Sequence, residues 1–139
     1  MRERRTRQLD AVYDAVRGTM DHPTAEEVHA RVRRDMPSVS LGTVYRNLQK
    51  LAAQERVRVL HGADRAARYD AVLADHDHFV CERCSQVTDV TRTRTLPADS
   101  RNLKRAGYSI RAEALTFYGV CPRCTARRRA GARSRARAA

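Results

Sequence analysis

Two C-x2-C pairs, Cys81/Cys84 and Cys121/Cys124, stand 36 residues apart. Four thiolates complete a tetrahedral zinc site without any other donor, so the pattern predicts one structural Zn2+. Sharing an ion obliges the chain to leave Cys84 and return beside it, across a gap longer than the roughly 15 to 20 residues of a compact zinc knuckle. That gap has to hold a helix and a strand, with zinc tying the last strand to the first strands of a small domain. The competing reading is four buried or redox-active cysteines. Compartment bears on the choice. No stretch approaches the roughly 20 apolar residues that cross a bilayer, and "MRERRTRQLDAV" lacks the apolar segment of a signal peptide. A cytoplasmic protein with no membrane association is expected, and cytosolic thiols stay reduced and available to metal.

Upstream of the cysteines the pattern is helical. Leu9, Val12, Tyr13 and Val16 recur at helical spacing within residues 4 to 18, with Gly18 as terminator. "HPTAEEVHARVRRDMP" predicts a second helix, capped by Thr24 with Glu27 completing a capping box, burying Ala25, Val28 and Val32, and stopped by Pro37. "SVSLGTVYRNLQKLAAQERV" predicts a third, capped by Ser40, with Leu41, Val44, Leu48 and Leu51 as its buried stripe. "RVRVLHG", a turn at "ADR" and "AARYDAV" then alternate like a hairpin. Three helices followed by a hairpin predict a winged helix, whose third helix would enter the major groove. Thr43, Tyr45, Arg46 and Asn47 become the candidates for base edges and phosphates.

The formal charge of +12 and a pI near 10.7 favour a polyanionic partner, nucleic acid first. Part of the excess is terminal: residues 125–139 carry six arginines and no acid, and "RERRTR" adds four more. The tail reads either as a solvated extension or as a loose electrostatic contact to DNA.

After a linker over residues 71–77, "HFVCERCSQVTDVT" predicts a strand, a turn at Glu82 and Arg83, and a second strand. "LPADSRNLKRAGYS" predicts a short helix ended by Gly107, and "SIRAEALTFYGVC" a closing strand that runs into the second cysteine pair. A small sheet with one helix is thin for a monomer, so its exposed edge and apolar helix face predict a homodimer. "DHDHFVC" adds a second class of ligand. In an extended strand His76 and His78 face one way and Asp77 the other, so the two histidines can share a metal, with Asp70 and Asp89 the nearest carboxylates. On composition and spacing, a solvated loop and a metal site both stay open. His29 and His61 read as surface or capping residues.

Through "HPTAEEVHARV", "VSLGTVYRNLQKL", "ARYD", "DHDHFVCERCSQVTDV" and "FYGVCPRC" the chain resembles the ferric uptake regulator family along nearly its whole length, leaving only the basic termini outside. The resemblance implies an α+β protein with a winged-helix DNA-binding domain over residues 1–70 and a hinge over 71–77. A small α/β dimerisation and metal-binding domain would span 78–126, followed by a basic tail over 127–139. It places structural zinc on all four cysteines and a regulatory metal on His22, Asp70, His76, His78 and Asp89, and it makes Tyr45 a DNA contact. Three imidazoles and two carboxylates suit five-coordinate Fe2+, Mn2+ or Zn2+. One ion held by both domains would fix their angle and, in a dimer, the spacing of two recognition helices on a two-fold operator. Aspartate at both 70 and 89 looks more like the peroxide-sensing or manganese-responsive branch than the iron-uptake branch, where glutamate is usual. Bound iron could then oxidise His22 or His76 and release DNA. Asp77 retains one position of a further metal site found in some relatives, but Leu96 stands where those have an acid. Glu113, expected in a strand, stands where histidine is common.

The function implied is a metal-dependent, dimeric transcriptional repressor without catalytic activity, controlling metal-uptake or peroxide-response genes. Within the family the alternative is a zinc-uptake regulator. Outside it stand a zinc-dependent hydrolase, built on His76, His78 and an aspartate with water in the open position, and a constitutive zinc-ribbon nucleic-acid-binding protein that needs the cysteines but neither His22 nor Asp70.

Overall fold

A computed structural model of the chain describes residues 2–74, 76–92, 98–110 and 113–128. Three helices come first: α1 (Arg2–Arg17), α2 (Ala25–Asp35) and α3 (Leu41–Ala53). The expected caps are in place. Thr24 Oγ1 accepts from the Glu27 amide while Glu27 returns to accept from the Thr24 amide at 2.8 Å, and Ser40 accepts from the Thr43 amide. Each cap satisfies amides that a first helical turn leaves without partners. The apolar stripes meet in one core, where Val12, Val28, Val44, Leu48 and Leu51 are fully buried. Leu41, expected in that stripe, opens α3 and is only half-buried.

β1 (Arg58–His61) and β2 (Ala67–Asp70) form the antiparallel wing, with Val59 opposite Tyr69 and Leu60 opposite Arg68. Tyr69 packs into the helical core, which seats the wing on the helices. The second half contains β3 (Asp77–Cys81), β4 (Val87–Val90), α4 (Ala98–Arg105) and β5 (Thr116–Gly119). Its sheet runs β4-β3-β5, with β4 antiparallel and β5 parallel to β3. A parallel neighbour requires a crossover, and α4 lies in it, so a helix and a strand do separate the cysteine pairs. Gly107, at a φ of 90°, follows α4 in the left-handed region that a glycine tolerates. The helical segment over residues 122–128 comes after β5.

The closing strand is shorter than its sequence suggests, and Glu113 lies outside it. The Leu115 amide donates to Asp77 Oδ1 at 3.1 Å, and the Glu113 carbonyl accepts from Arg92 at 2.6 Å. Side chains thus take backbone groups that would otherwise lengthen the ladder. Leu96 lies outside the described residues. Among the described residues, no helix is long and apolar enough to cross a membrane.

Candidate metal centre

The parallel register pairs Cys81 with Gly119, which carries Cys121 alongside the first cysteine pair. All four cysteines are free thiols, and their sulfurs lie within 4.8 Å of one another. Cys84 Sγ and Cys121 Sγ are 3.9 Å apart. Zinc–sulfur bonds of about 2.3 Å give a tetrahedron whose edge is about 3.8 Å, whereas a disulfide would need about 2.05 Å. The spacing therefore fits four sulfurs around one ion. The Cys121 amide, donating to Cys81 Sγ at 3.3 Å, holds the Cys81 thiol down to about 6. A hydrogen bond from the Gln86 backbone lowers Cys84 despite the opposing burial. Cys124 is pushed up to about 12 by its hydrogen bond with Cys121 and by burial. The backbone around the first pair favours the thiolate that binds metal, and ionising all four sulfurs calls for a cation among them.

A second cluster forms where the two halves meet. His22 lies between α1 and α2 with a φ of 48°, a conformation uncommon for a residue other than glycine. On one side the Tyr69 amide donates to the Pro23 carbonyl at 3.0 Å and Thr24 bridges Arg68, so this loop runs beside β2, which ends at Asp70. On the other, Arg31 donates to Asp21 at 2.6 Å, Thr19 Oγ1 at 3.1 Å and the Ala15 carbonyl at 3.2 Å. From the opposite half, the β3–β4 register sets His78 directly against Asp89. The rings of His76 and His78 stand 4.5 Å apart, centroid to centroid.

Asp89 Oδ1 is 2.8 Å from His22 Nε2, 3.1 Å from His76 Nε2 and 3.7 Å from His78 Nε2. Asp70 Oδ2 is 3.2 Å from His76 Nε2 and 3.7 Å from His78 Nε2. His22, Asp70, His76 and His78 are only 2%, 4%, 7% and 3% exposed. Close as they are, these groups do not align as hydrogen bonds: Asp89 Oδ1, Asp70 Oδ2, His76 Nε2 and His78 Nε2 are buried without a hydrogen-bond partner. Native proteins seldom leave such atoms unpaired. His76 Nδ1 lies 2.8 Å from the Ala74 carbonyl; that oxygen can only accept, so Nδ1 carries the hydrogen and Nε2 turns a lone pair inward. Buried nitrogen and oxygen lone pairs converging on one point suit a divalent cation.

All five residues expected at this site meet, with one distinction among them. The donors of His22, His76, His78 and Asp89 lie within 4.8 Å of one another, while Asp70 stands at the rim and its Oδ1 accepts from the Val72 amide at 2.7 Å. Burial opposes charge on Asp70, but the His78 ring, the Val72 amide and the nearby His22 and His76 outweigh it and hold the carboxyl below its ordinary range. Asp77 faces away from the cluster, as strand alternation predicts. Its Oδ1 accepts from Arg92 at 2.9 Å and from the Leu115 amide, joining β3 to the approach to β5. Arg92 in this role has no sequence signal.

On α3, Thr43, Arg46, Asn47 and Lys50 line a surface hollow of about 450 Å3 together with Gln8 of α1, which the sequence reading missed. Arg46 donates to Thr43 Oγ1 at 3.1 Å. Tyr45 is exposed, and its hydroxyl donates to Glu26 Oε1 at 2.8 Å. His29 Nε2 lies 3.0 Å from the Val39 carbonyl and His61 is exposed, in keeping with capping and surface roles.

A winged helix joined to a small α/β unit, with a four-thiol cluster in one half and a histidine–carboxylate cluster shared by both, defines a class of winged-helix proteins built to hold metal. The ferric uptake regulator family model matches residues 2–118, and the chain belongs to that family. It is 29% identical over 120 residues to the peroxide operon regulator of Bacillus subtilis (strain 168), covering 86% of this chain and 83% of that protein. The crystal structure of the Campylobacter jejuni peroxide stress regulator is similar at 25% identity with a TM-score of 0.74, over 87% of this chain and 91% of that one. The Helicobacter pylori ferric uptake regulator shares the fold at 20% identity and a TM-score of 0.74, over 86% and 80% of the two chains.

Proposed function

We propose that the protein is a dimeric, metal-dependent repressor that binds duplex DNA and controls metal-uptake or peroxide-response genes. Fe2+ or Mn2+ would be its regulatory ion and Zn2+ its structural one, held by Cys81, Cys84, Cys121 and Cys124. The carrying observation is the set of buried, unpaired donors drawn from both halves of the chain. His22 and Asp70 belong to a DNA-reading unit over residues 1–70; His76, His78 and Asp89 belong to a hinge over 71–77 and a dimerisation unit over 78–126. Holding these lone pairs together in a poorly solvated place is costly unless a positive charge lies among them. A divalent ion bound there would supply the bridging positive charge that turns metal binding into DNA affinity by linkage.

Thr43, Tyr45, Arg46 and Asn47 on α3 would read the operator, Arg46 being suited to phosphate or to guanine. Glu26 fixes the Tyr45 hydroxyl, which orients the ring on that face. The outer position of β5 and the exposure of Phe117 and Tyr118 support a homodimer, and a homodimer fits a two-fold operator. Similarity to two peroxide regulators, together with aspartate at 70 and 89, favours a peroxide response in which His22 or His76 is oxidised. Zinc uptake is the second reading, favoured by the tight four-donor set of His22, His76, His78 and Asp89, which is the donor count of tetrahedral zinc.

Anaerobic titration of the zinc-replete protein with Fe2+, Mn2+ and Zn2+, read by binding to a palindromic operator selected from random duplexes, tests the proposal. His22→Ala is expected to abolish metal-stimulated binding while leaving the cysteine-bound zinc and the fold intact. Operator affinity indifferent to His22→Ala and to all three metals would sink the reading. Loss of binding on peroxide treatment of the iron form alone identifies the peroxide branch, and stimulation by Zn2+ alone identifies zinc uptake.

A further inference from the structure

We infer that Arg92 is a built-in cation at Asp77, standing where a third metal ion would otherwise have to bind, so that the chain takes one exchangeable ion besides the one on its cysteines. The assignment is independent of the regulatory reading, since it concerns the opposite face of β3. There Asp77 is 2% exposed, between His76 and His78 in sequence but turned away from their cluster. Its Oδ1 accepts from Arg92 Nη2 at 2.9 Å, from Arg92 Nε at 3.3 Å and from the Leu115 amide at 3.1 Å. A carboxylate has about four acceptor positions over its two oxygens, so three donors at Oδ1 leave that atom none for an ion. The same guanidinium donates to the Glu113 carbonyl at 2.6 Å. One cation thus joins β3, the end of β4 and the approach to β5.

The other residues that a further site would draw on are committed or lack donors. Buried Ser100 of α4 donates from its Oγ to Glu113 Oε2, which turns that carboxylate toward the helix. Glu113 Oε1 is buried without a hydrogen-bond partner, but one oxygen falls short of the roughly four or more donors that a divalent ion takes. Leu96, where relatives with that site have an acid, has no donor to offer. Among the described residues, the groups of three or more His, Cys, Asp and Glu donors close enough to share an ion are the four-thiol and histidine–carboxylate clusters already described. A guanidinium does not give up its proton in a protein, so a dication brought to Asp77 would meet a fixed positive charge at close range. These residues do not fit a third ion. Asp77 instead anchors β3, and the strand presents His76 and His78 from a sheet whose internal cation needs no loading.

Counting ions on the full chain tests the assignment. Zinc-replete protein is dialysed to equilibrium against Mn2+ or Zn2+, and bound metal is measured by plasma mass spectrometry. The wild type is expected to hold one ion per chain beyond the cysteine-bound zinc, and His22→Ala to hold none. An ion that persists in His22→Ala and is lost when Asp77→Asn is added overturns the assignment, because Asp77 is then a ligand. If the wild type takes up no exchangeable ion, the regulatory reading fails while the assignment of Asp77 stands. Urea midpoints test the cation itself. Arg92→Gln is expected to lower the midpoint, because it strands a buried carboxylate, and adding Asp77→Asn should recover part of the loss. Losses that simply add would show that the two side chains do not interact, and they overturn the assignment as well. Should Arg92→Gln fail to fold, the ion counts, which need no change at Arg92, decide alone.

Discussion

Asp21, the residue before His22, is tied to α2 by Arg31 at 2.6 Å. Burial opposes charge on Asp21, but hydrogen bonds from Arg31 and Thr19 and the Arg31 charge outweigh it and hold the carboxyl below its ordinary range. A depressed native pKa means that the unfolded chain takes up the proton first. The stabilisation is therefore complete above the unfolded carboxylate value and is lost as pH falls through the native one. Asp21→Asn should flatten the acid limb of the urea midpoint against pH, at a neutral-pH cost of no more than about 1 kcal/mol because the pair is partly solvated. Parallel curves for the two proteins between about pH 5 and pH 2 would show that the pair contributes nothing. The four cysteines were legible singly, because thiol spacing carries its own chemistry. The partners of Asp77 and Tyr45 were not: Arg92 and Glu26 lie 15 and 19 residues away and meet them only once the chain has folded.

Among the elements, α2 shows why some structure is readable in advance. Its capping box is closed by residues three apart, so the signal is local. Thr24 also bridges Arg68 in β2, so one residue starts a helix and helps hold the His22 loop against the wing. Thr24→Ala is expected to cost about 1 kcal/mol in chemical denaturation, the usual worth of such a cap. A midpoint shifted by less than a few tenths of that would mean that water replaces the threonine hydroxyl at no loss. The β3–β4 register was less legible. The sequence marks a turn after Cys81, but the pairing of His78 with Asp89 depends on how that turn closes, with the Cys81 amide donating to the Gln86 carbonyl at 2.9 Å. The start of β5 was beyond reach, since it is set by the distant side chains of Asp77 and Arg92.

At the scale of the molecule, the histidine–carboxylate cluster joins the two halves, while β5 leaves one edge of the second sheet open. On that edge Phe117 and Tyr118 are 44% and 65% exposed, large apolar surface for a strand of four residues. A second copy of the chain covering the edge would bury both side chains and pair the free backbone groups of β5. A two-fold dimer would also tether two reading helices, so that the second half-site is bound at high effective concentration. Phe117→Glu places a charge in that surface without touching either cluster of candidate ligands. It is expected to convert the protein to a monomer in sedimentation velocity, with zinc retained, and to lower metal-stimulated operator affinity by roughly 100-fold or more as the linked second half-site is lost. A variant that sediments as the wild type does and binds the operator equally well would place the dimer contact elsewhere and remove β5 from the account of how the operator is spanned.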